Sequence, residues 1–486
     1  MAWLCEACRE RERTLNPPEP TSSSHSVCCL CLGLFSDEVV SAVRGAAMAK
    51  AADYGQLVSF KVAFHLPNAC LLRHKLLQRR CSKSGGFVEE LADVGRSFYA
   101  GRLEPALGLR FSPKALFTVN LHFGHAQVES ADSAFLSSSL PQLYKPRASE
   151  KRNAKAKGRR FVQSDGCNQL EGEMPRSTLD ACVAALSEAQ TAIFNWHPSE
   201  QSLQWMVEVV HEPVIVGSRY VKLSRRLPHS LGFSREERPE AVDEVTVEEL
   251  LCQPLQDFAR ADAWRFTSAG REDKDTLMRG SGRPFAVKLL NPRLTQLSTS
   301  HLEQASHSLA AHAAKHGVGL SMGLQLISKE GLNWLKAGET EKTKAYSALC
   351  FASGSEPEAE RLAEAVGACP LKLEQRTPVR VLCARSNSTR QRSILSLRVQ
   401  KVEPPSSECQ HLLWLRVDME TEAGTYVKEF INGDFGRTRP SLASLLGLDD
   451  LECHELDVTH VEMAWPPPLL PQKKIKLQSD AEADTV

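Results

Sequence analysis

The sequence predicts an α+β (mixed α/β) protein, on three observations. Segments such as LVSFKVAFHLP and ALFTVNLHFGH alternate apolar and polar residues with the two-residue period of half-buried strands. Segments such as NACLLRHKLLQRRC and VEELLCQPLQDFARA instead repeat apolar residues at helical spacing. Both kinds are spread along 486 residues that are 42% hydrophobic, enough for two or three domains with their own cores. Lysine plus arginine and aspartate plus glutamate balance at 59 each, which argues against a simple polyanion-coating protein. Local basic patches remain free to bind nucleic acid. No apolar run of about 18 residues predicts a membrane span, and MAWLCEACRERERT lacks the apolar stretch of a secretory signal.

Residues 1–35 read as a metal-binding segment. Cys5 and Cys8 form one CxxC pair, Cys28 and Cys31 another. Two such knuckles supply four soft thiolates, the donor set of one closed, structural zinc site. His25 lies outside the knuckles, and Cys29 between the second pair is a bystander. The intervening RERERTLNPPEPTSSSHS reads as a loop.

Residues 36–232 read as an α/β accessory domain. After LVSFKVAFHLP comes the helix of NACLLRHKLLQRRC, with basic side chains on its polar face, then the strand of ALFTVNLHFGH. QWMVEVVHEPVIVGSRYVKLSRRLP reads as two strands around a turn. Alternation puts Tyr220, Lys222 and Ser224 on one face, and with Arg219, Arg225 and Arg226 this is a candidate surface for phosphates and bases. The basic run Lys145 to Arg160 lacks periodicity and reads as a loop that could serve nuclear import. Ser84-Gly85-Gly86 is no phosphate loop, and neither GxxxxGK[ST] nor GxGxxG occurs, so no nucleotide-hydrolysing or dinucleotide enzyme is indicated.

Residues 240–468 form the second large unit. A helix over VEELLCQPLQDFARA leads to the strand AWRFT. SAGREDKDTLMRGSGRPF then crowds Arg271, Glu272, Asp273, Lys274 and Asp275 before a Gly-Ser-Gly turn and Arg283. RPFAVKLLNPR and EKTKAYSALCFAS read as strands, AGTYVKEFINGDFGRTRPSLASLLG as a strand, loop and helix start, and CHELDVTHVEMAW as a closing strand. Residues 469–486 are a polar tail expected to be disordered.

GRED at Gly270 to Asp273, GRPFAVKLLNP, EKTKAYSAL and AGTYVKEFINGDFGRT occur in the order that they have in pseudouridine synthases. The chain resembles, more narrowly, the archaeal and animal tRNA pseudouridine synthases with an N-terminal zinc-bearing, THUMP-containing domain. The CxxC pairs and RYVKLSRRLP fit the same family. The resemblance implies a catalytic domain with a mostly antiparallel central sheet and an RNA-binding cleft. It implies isomerisation of tRNA uridines in the T loop, positions 54 and/or 55, without an organic cofactor. Asp273 matches the catalytic aspartate, whether it attacks the sugar or removes its proton. A cation beside it would favour its charged form, and Lys428 matches the basic partner. Tyr346 matches the aromatic residue that stacks on a flipped-out base, and Leu456 an apolar residue under the site. Arg271 and Arg283 are candidate phosphate contacts. The segment Gln375 to Arg390, with Arg376, Arg380, Arg385 and Arg390, stands at a thumb loop, and the acidic Ser230 to Thr246 at a forefinger loop. Asp275 is the rival acid. Leu277 stands where the family carries an arginine, with Arg279 just downstream. The implied partner is tRNA through its T arm, with other structured RNA as a further one, for a monomer in nucleus and cytoplasm. A zinc-bearing RNA-binding scaffold with an idle enzyme fold is the alternative.

Overall fold

The alternating segments pair into two separate sheets. The computed structural model describes residues 5, 8, 27–82, 90–145, 174–196, 203–231, 245–353, 357, 359–383, 385–406 and 412–467. The chain divides into two units, Met1–Glu212 and Pro213–Val486. The expected basic loop beyond Lys145, the centre of the forefinger segment, His25 and the polar tail lie outside the described residues.

In the first unit, β1 (Ser59–His65) lies parallel to both β2 (Arg110–Phe111) and β3 (Phe117–Gly124), and β4 (Gln204–His211) runs antiparallel to β3. One sheet face buries Phe60, Val62, Phe117, Val119 and Leu121 with Val43 and Tyr99 of the helices Asp37–Ala51 and Leu91–Leu107. Ser36 caps the first of these helices by accepting from Val39 N, and Asp37 and Glu38 meet the positive end of its dipole. The helix Asn68–Ser82 departs from its expected pattern. Arg73 is not on a polar face but buried, with Asp132 at 2.9 and 3.0 Å and the carbonyls of Cys29, Asn195 and Trp196 as acceptors. Apolar spacing cannot show that a long cation will find a buried carboxylate far along the chain.

The second unit is built on an eleven-stranded sheet. Its main order is β14 (Thr438–Arg439), β11 (Leu371–Arg376), β12 (Thr389–Lys401), β13 (Leu413–Thr421), β10 (Lys344–Ala352), β15 (Glu452–Val461), β7 (Leu277–Leu290), β5 (Val214–Lys222) and β8 (Val318–Leu320). β6 (Ala263–Ser268) pairs with β7, and β9 (Gln325–Leu326) with β5. Only the short β15–β7 contact is parallel among these pairings, so the sheet is mostly antiparallel as expected. One core lies around β5, β7 and the helix Val247–Ala259, another around β10, β13 and the helices Val427–Asn432 and Leu442–Leu446.

Three sequence expectations change here. β5 belongs to the second unit and not to an accessory domain running to residue 232, because its partners are β7, β8 and β9. Gly280-Ser281-Gly282 is no turn; it lies inside β7, with φ +58° and +76° at the two glycines, where the β5 register slips between Tyr220 and Lys222. A Cβ at Gly280 would stand 2.1 Å from the Thr459 carbonyl oxygen, so only glycine fits this bulge. The segment after Gly424, expected to start as a strand, instead forms the helix Val427–Asn432, closed by Gly433 in left-handed backbone.

Candidate active site

The crowded charges sort by burial. Asp273 and Asp275 face solvent on the segment joining β6 to β7, whereas Glu272 is buried between them and the core. Asp273 Oδ2 lies 3.0 Å from Arg380 Nη1 and 3.6 Å from Lys428 Nζ. Lys428 also donates to both oxygens of Asp275 at 2.8 and 2.9 Å. Burial works against the Asp275 carboxylate, but the Lys428 hydrogen bond and charge outweigh it and hold its pKa below the ordinary value. Arg380 Nε donates to Glu429 at 2.7 Å, so the guanidinium is fixed from two sides. Two carboxylates and two cations thus meet on one exposed edge, and the expected pairing of Lys428 with Asp273 is shared with Asp275 and Arg380.

Beneath that edge the backbone is clamped. Lys222 is buried and spends its ammonium protons on the carbonyls of Leu227 (2.8 Å), Asp273 (3.1 Å) and Lys274 (2.9 Å). Burial pulls its pKa down to about 8 despite nearby acids. Arg225 donates to the carbonyls of Asp275 (3.0 Å) and Leu456 (3.1 Å) and pairs with Asp457 and Glu455. Three successive carbonyls of the Asp273 segment are therefore held by cations from one motif. Glu272 lies 2.8 Å from Arg283 Nε and accepts from the Tyr220 hydroxyl at 2.8 and 2.9 Å. Burial alone would raise the pKa of Glu272, but the charge of Arg283, helped by His229, Tyr220 and Lys222, brings it below the ordinary value. Gly270, with φ +86°, keeps the turn open: a Cβ there would meet Lys344 Nζ at 2.7 Å and Arg283 Nη1 at 3.1 Å.

The site residues expected from sequence fall into two groups. Asp273, Lys428 and Arg380 meet directly, and Tyr346 on β10 is close enough for its pKa to be raised by burial and then by the charge of Asp273, against Arg283. Leu456 is buried on β15, opposite Ala348 of β10. Arg271 is exposed and donates to the Ser230 carbonyl at 3.4 Å, and Arg376 is exposed at the end of β11. Arg219, Tyr220, Lys222 and Arg225 do not form an RNA surface. Arg219 is turned inward onto the carbonyls of Gly282, Val461, Met463 and Trp465, and Arg225 is tied to the Asp273 segment. Arg283 is likewise buried and cannot touch phosphate. Arg279 reaches Asp457 at 3.0 Å from a position two residues past Leu277, which itself pairs with Asp457 in the β7–β15 register. Sequence reading missed Glu272, Glu429 and Asp457 as partners; the first two sit beside Asp273 and Lys428, and that adjacency was the available signal.

The cysteine segment forms a cluster. Ligand atoms of Cys5, Cys8, Cys28 and Cys31 all lie within 4.8 Å of one another, with Cys5 Sγ and Cys31 Sγ 3.6 Å apart. Zinc–sulfur bonds of about 2.3 Å place tetrahedral sulfurs about 3.8 Å apart, so this donor set fits a metal ion. Cys29 points elsewhere in function: its carbonyl accepts from Arg73 at 3.0 Å.

The family described as Pus10, C-terminal, matches residues 215–462. The human tRNA pseudouridine synthase Pus10 is 29% identical over 92% of this chain and 80% of its own length. The Xenopus laevis protein of that name is 30% identical over 91% of this chain and 81% of its own. The Methanothrix thermoacetophila one is 33% identical over 52% and 55%. The match to the family begins at β5, where the second unit begins, and the animal relatives align over nine-tenths of the chain; the chain belongs to the Pus10 family of tRNA pseudouridine synthases.

Proposed function

We propose that this chain isomerises uridine to pseudouridine in the T loop of tRNA, at position 54, 55 or both, with Asp273 as the reacting carboxylate. The observation that carries the reading is the Asp273 side chain, 44% exposed, between Arg380 and Lys428 on a segment clamped from below by Lys222 and Arg225. The reaction breaks the N1–C1′ bond, joins C5 to C1′ and moves the C5 proton to N1, so it balances without a redox or group-transfer cofactor. It needs an anionic group at the sugar and base that does not drift. Holding the carbonyls of Asp273, Lys274 and Asp275 meets that need, because a misplacement of about 1 Å can cost about a hundredfold in rate. Tyr346, on β10, would stack on the flipped base. Arg271, Arg376, Arg385 and Arg390, on or near the exposed edge, would hold the RNA backbone.

A zinc ion held by Cys5, Cys8, Cys28 and Cys31 would organise the start of the first unit and take no part in the chemistry. Arg73, bonded to the Cys29 carbonyl, would fix that segment to the helix Asn68–Ser82.

The test is base-resolved pseudouridine mapping on an unmodified tRNA transcript at stated salt. Wild type is expected to mark the T loop, and Asp273→Ala to lose the mark while keeping tRNA affinity. An unmarked transcript with tight binding by the wild type would sink the reading and favour an RNA-binding scaffold.

A further inference from the structure

Phe435 is 96% exposed, more than the other exposed large apolar residues described, such as Ile193 at 75% and Val58 at 71%. Its backbone is also unusual. Gly433, Asp434, Phe435 and Gly436 follow one another at φ +84°, +45°, +56° and +78°. Glycine adopts that conformation freely, but a bulky side chain does so at a cost of about 1–2 kcal/mol. Ile193, by contrast, rests at φ −89°. A bare aromatic ring on a backbone that disfavours it gains the fold nothing by burial and costs it in conformation.

The turn is nonetheless held firmly. Gly433 N donates to the Glu429 carbonyl at 2.8 Å and Thr438 N to the Gly433 carbonyl at 3.1 Å. Asp434 accepts from Val379 N at 3.1 Å and lies 3.6 Å from Arg437 Nε. Arg439 donates to the Gly436 carbonyl at 3.0 Å, and Arg437 to Thr377 and Asn387. The ring is therefore presented from a turn stitched to residues 377–379, next to Arg380, which reaches Asp273. The acid in the turn, Asp434, is already engaged, and Glu374 stands opposite Arg439 in the β11–β14 register. What remains outward is an aromatic face near the exposed Arg439, the combination that stacks a base while a cation follows the backbone.

We propose that Phe435 is a stacking platform for an unpaired base of the bound RNA, close to the target uridine. This rests on the reading of the chain as an RNA-modifying enzyme. The test is equilibrium binding of a labelled T-arm stem-loop to the full chain across a salt series, with Phe435→Ala, Phe435→Trp and Phe435→Gly. Phe435→Ala is expected to weaken binding about tenfold to a hundredfold, since a stacked base is worth that much. Its salt slope should match the wild type, because stacking releases no counterions. Phe435→Trp should restore affinity, with indole emission quenched by the RNA. Phe435→Gly should bind as poorly as the alanine variant yet melt at a higher temperature, because the strain is gone. Unchanged affinity in Phe435→Ala would overturn the assignment and turn the ring towards a protein contact. A defect that Phe435→Trp does not repair would overturn it too, as a structural effect. Binding without pseudouridine formation by the wild type would sink the enzymatic reading and, with it, the place beside a target uridine, while the Phe435 variants would still decide whether the ring stacks a base; no binding by the wild type would end both.

Discussion

Arg73 in the first unit and Arg283 in the second are both buried against a carboxylate, and their surroundings differ. Arg73 has Asp132 and three carbonyls as acceptors, so its donors are well spent. Asp132, paired with Arg73, is pushed up to about 6 by burial, which outweighs that cation. Glu272 is buried too, but Arg283, His229, Tyr220 and Lys222 together overcome the desolvation and bring it below its ordinary value. Burial does not decide the charge of a buried acid; the number of donors facing it does. The first pair fixes a cysteine segment to a helix. The second keeps a negative charge under the segment that carries Asp273.

The largest break in this comparison comes from removing the acids. Glu272→Ala strands the Arg283 charge and is expected to cost about 3–5 kcal/mol in urea unfolding, with pseudouridine formation abolished. Asp132→Ala should fall at the lower end of that range, because Arg73 keeps its carbonyls. The reverse order would undo the contrast. Acid titration sharpens it. With its folded pKa below the ordinary 4.5, Glu272 contributes fully above 4.5 and loses that contribution as pH falls through the folded value. With a folded value of about 6 against 3.8, Asp132 costs stability above 6, and the cost fades towards 3.8. Amide protection factors in β7 should therefore hold steady down to pH 4.5 and fall below it, while those in the helix Ala126–Ser139 should not fall between 6 and 4.5.

A smaller effect is expected at Lys222. Below about 8 the ammonium has three protons for its three carbonyls; above it the amine has two. The pH–rate profile should fall above about 8, and Lys222→Met should be about tenfold to a hundredfold slower with that alkaline limb missing. The lowered value also means that the buried charge costs stability below about 8, a cost that fades towards 10.5. An unchanged limb in Lys222→Met would assign the titration elsewhere. The smallest effect belongs to Arg279→Ala. Its pair with Asp457 is half exposed on the arginine side, and Arg225 remains on the same carboxylate, so the loss should stay under about 1 kcal/mol in urea unfolding.

Much of this was legible in residue order. Strand alternation located β1, β3, β4, β5 and β10, cysteine spacing located the cluster, and the ordered blocks located Asp273, Tyr346 and Lys428. Alternation also put Tyr220 and Lys222 on the same side of β5, which is right, but it could not say that this side faces inward. The period of a strand gives the parity of its residues and not the sign of each face. The sign was decided by the bulge at Gly280–Gly282 and by carbonyls at residues 273–275, which reach Lys222 and Arg225 only once β5 and β7 are paired. The sequence by itself determined which chemistry is present: a catalytic aspartate candidate, its cations and a thiolate cluster. Only the tertiary structure decided which cations are frame and which meet solvent, because that depends on donors and acceptors some 50 to 250 residues apart finding one another in a dry interior.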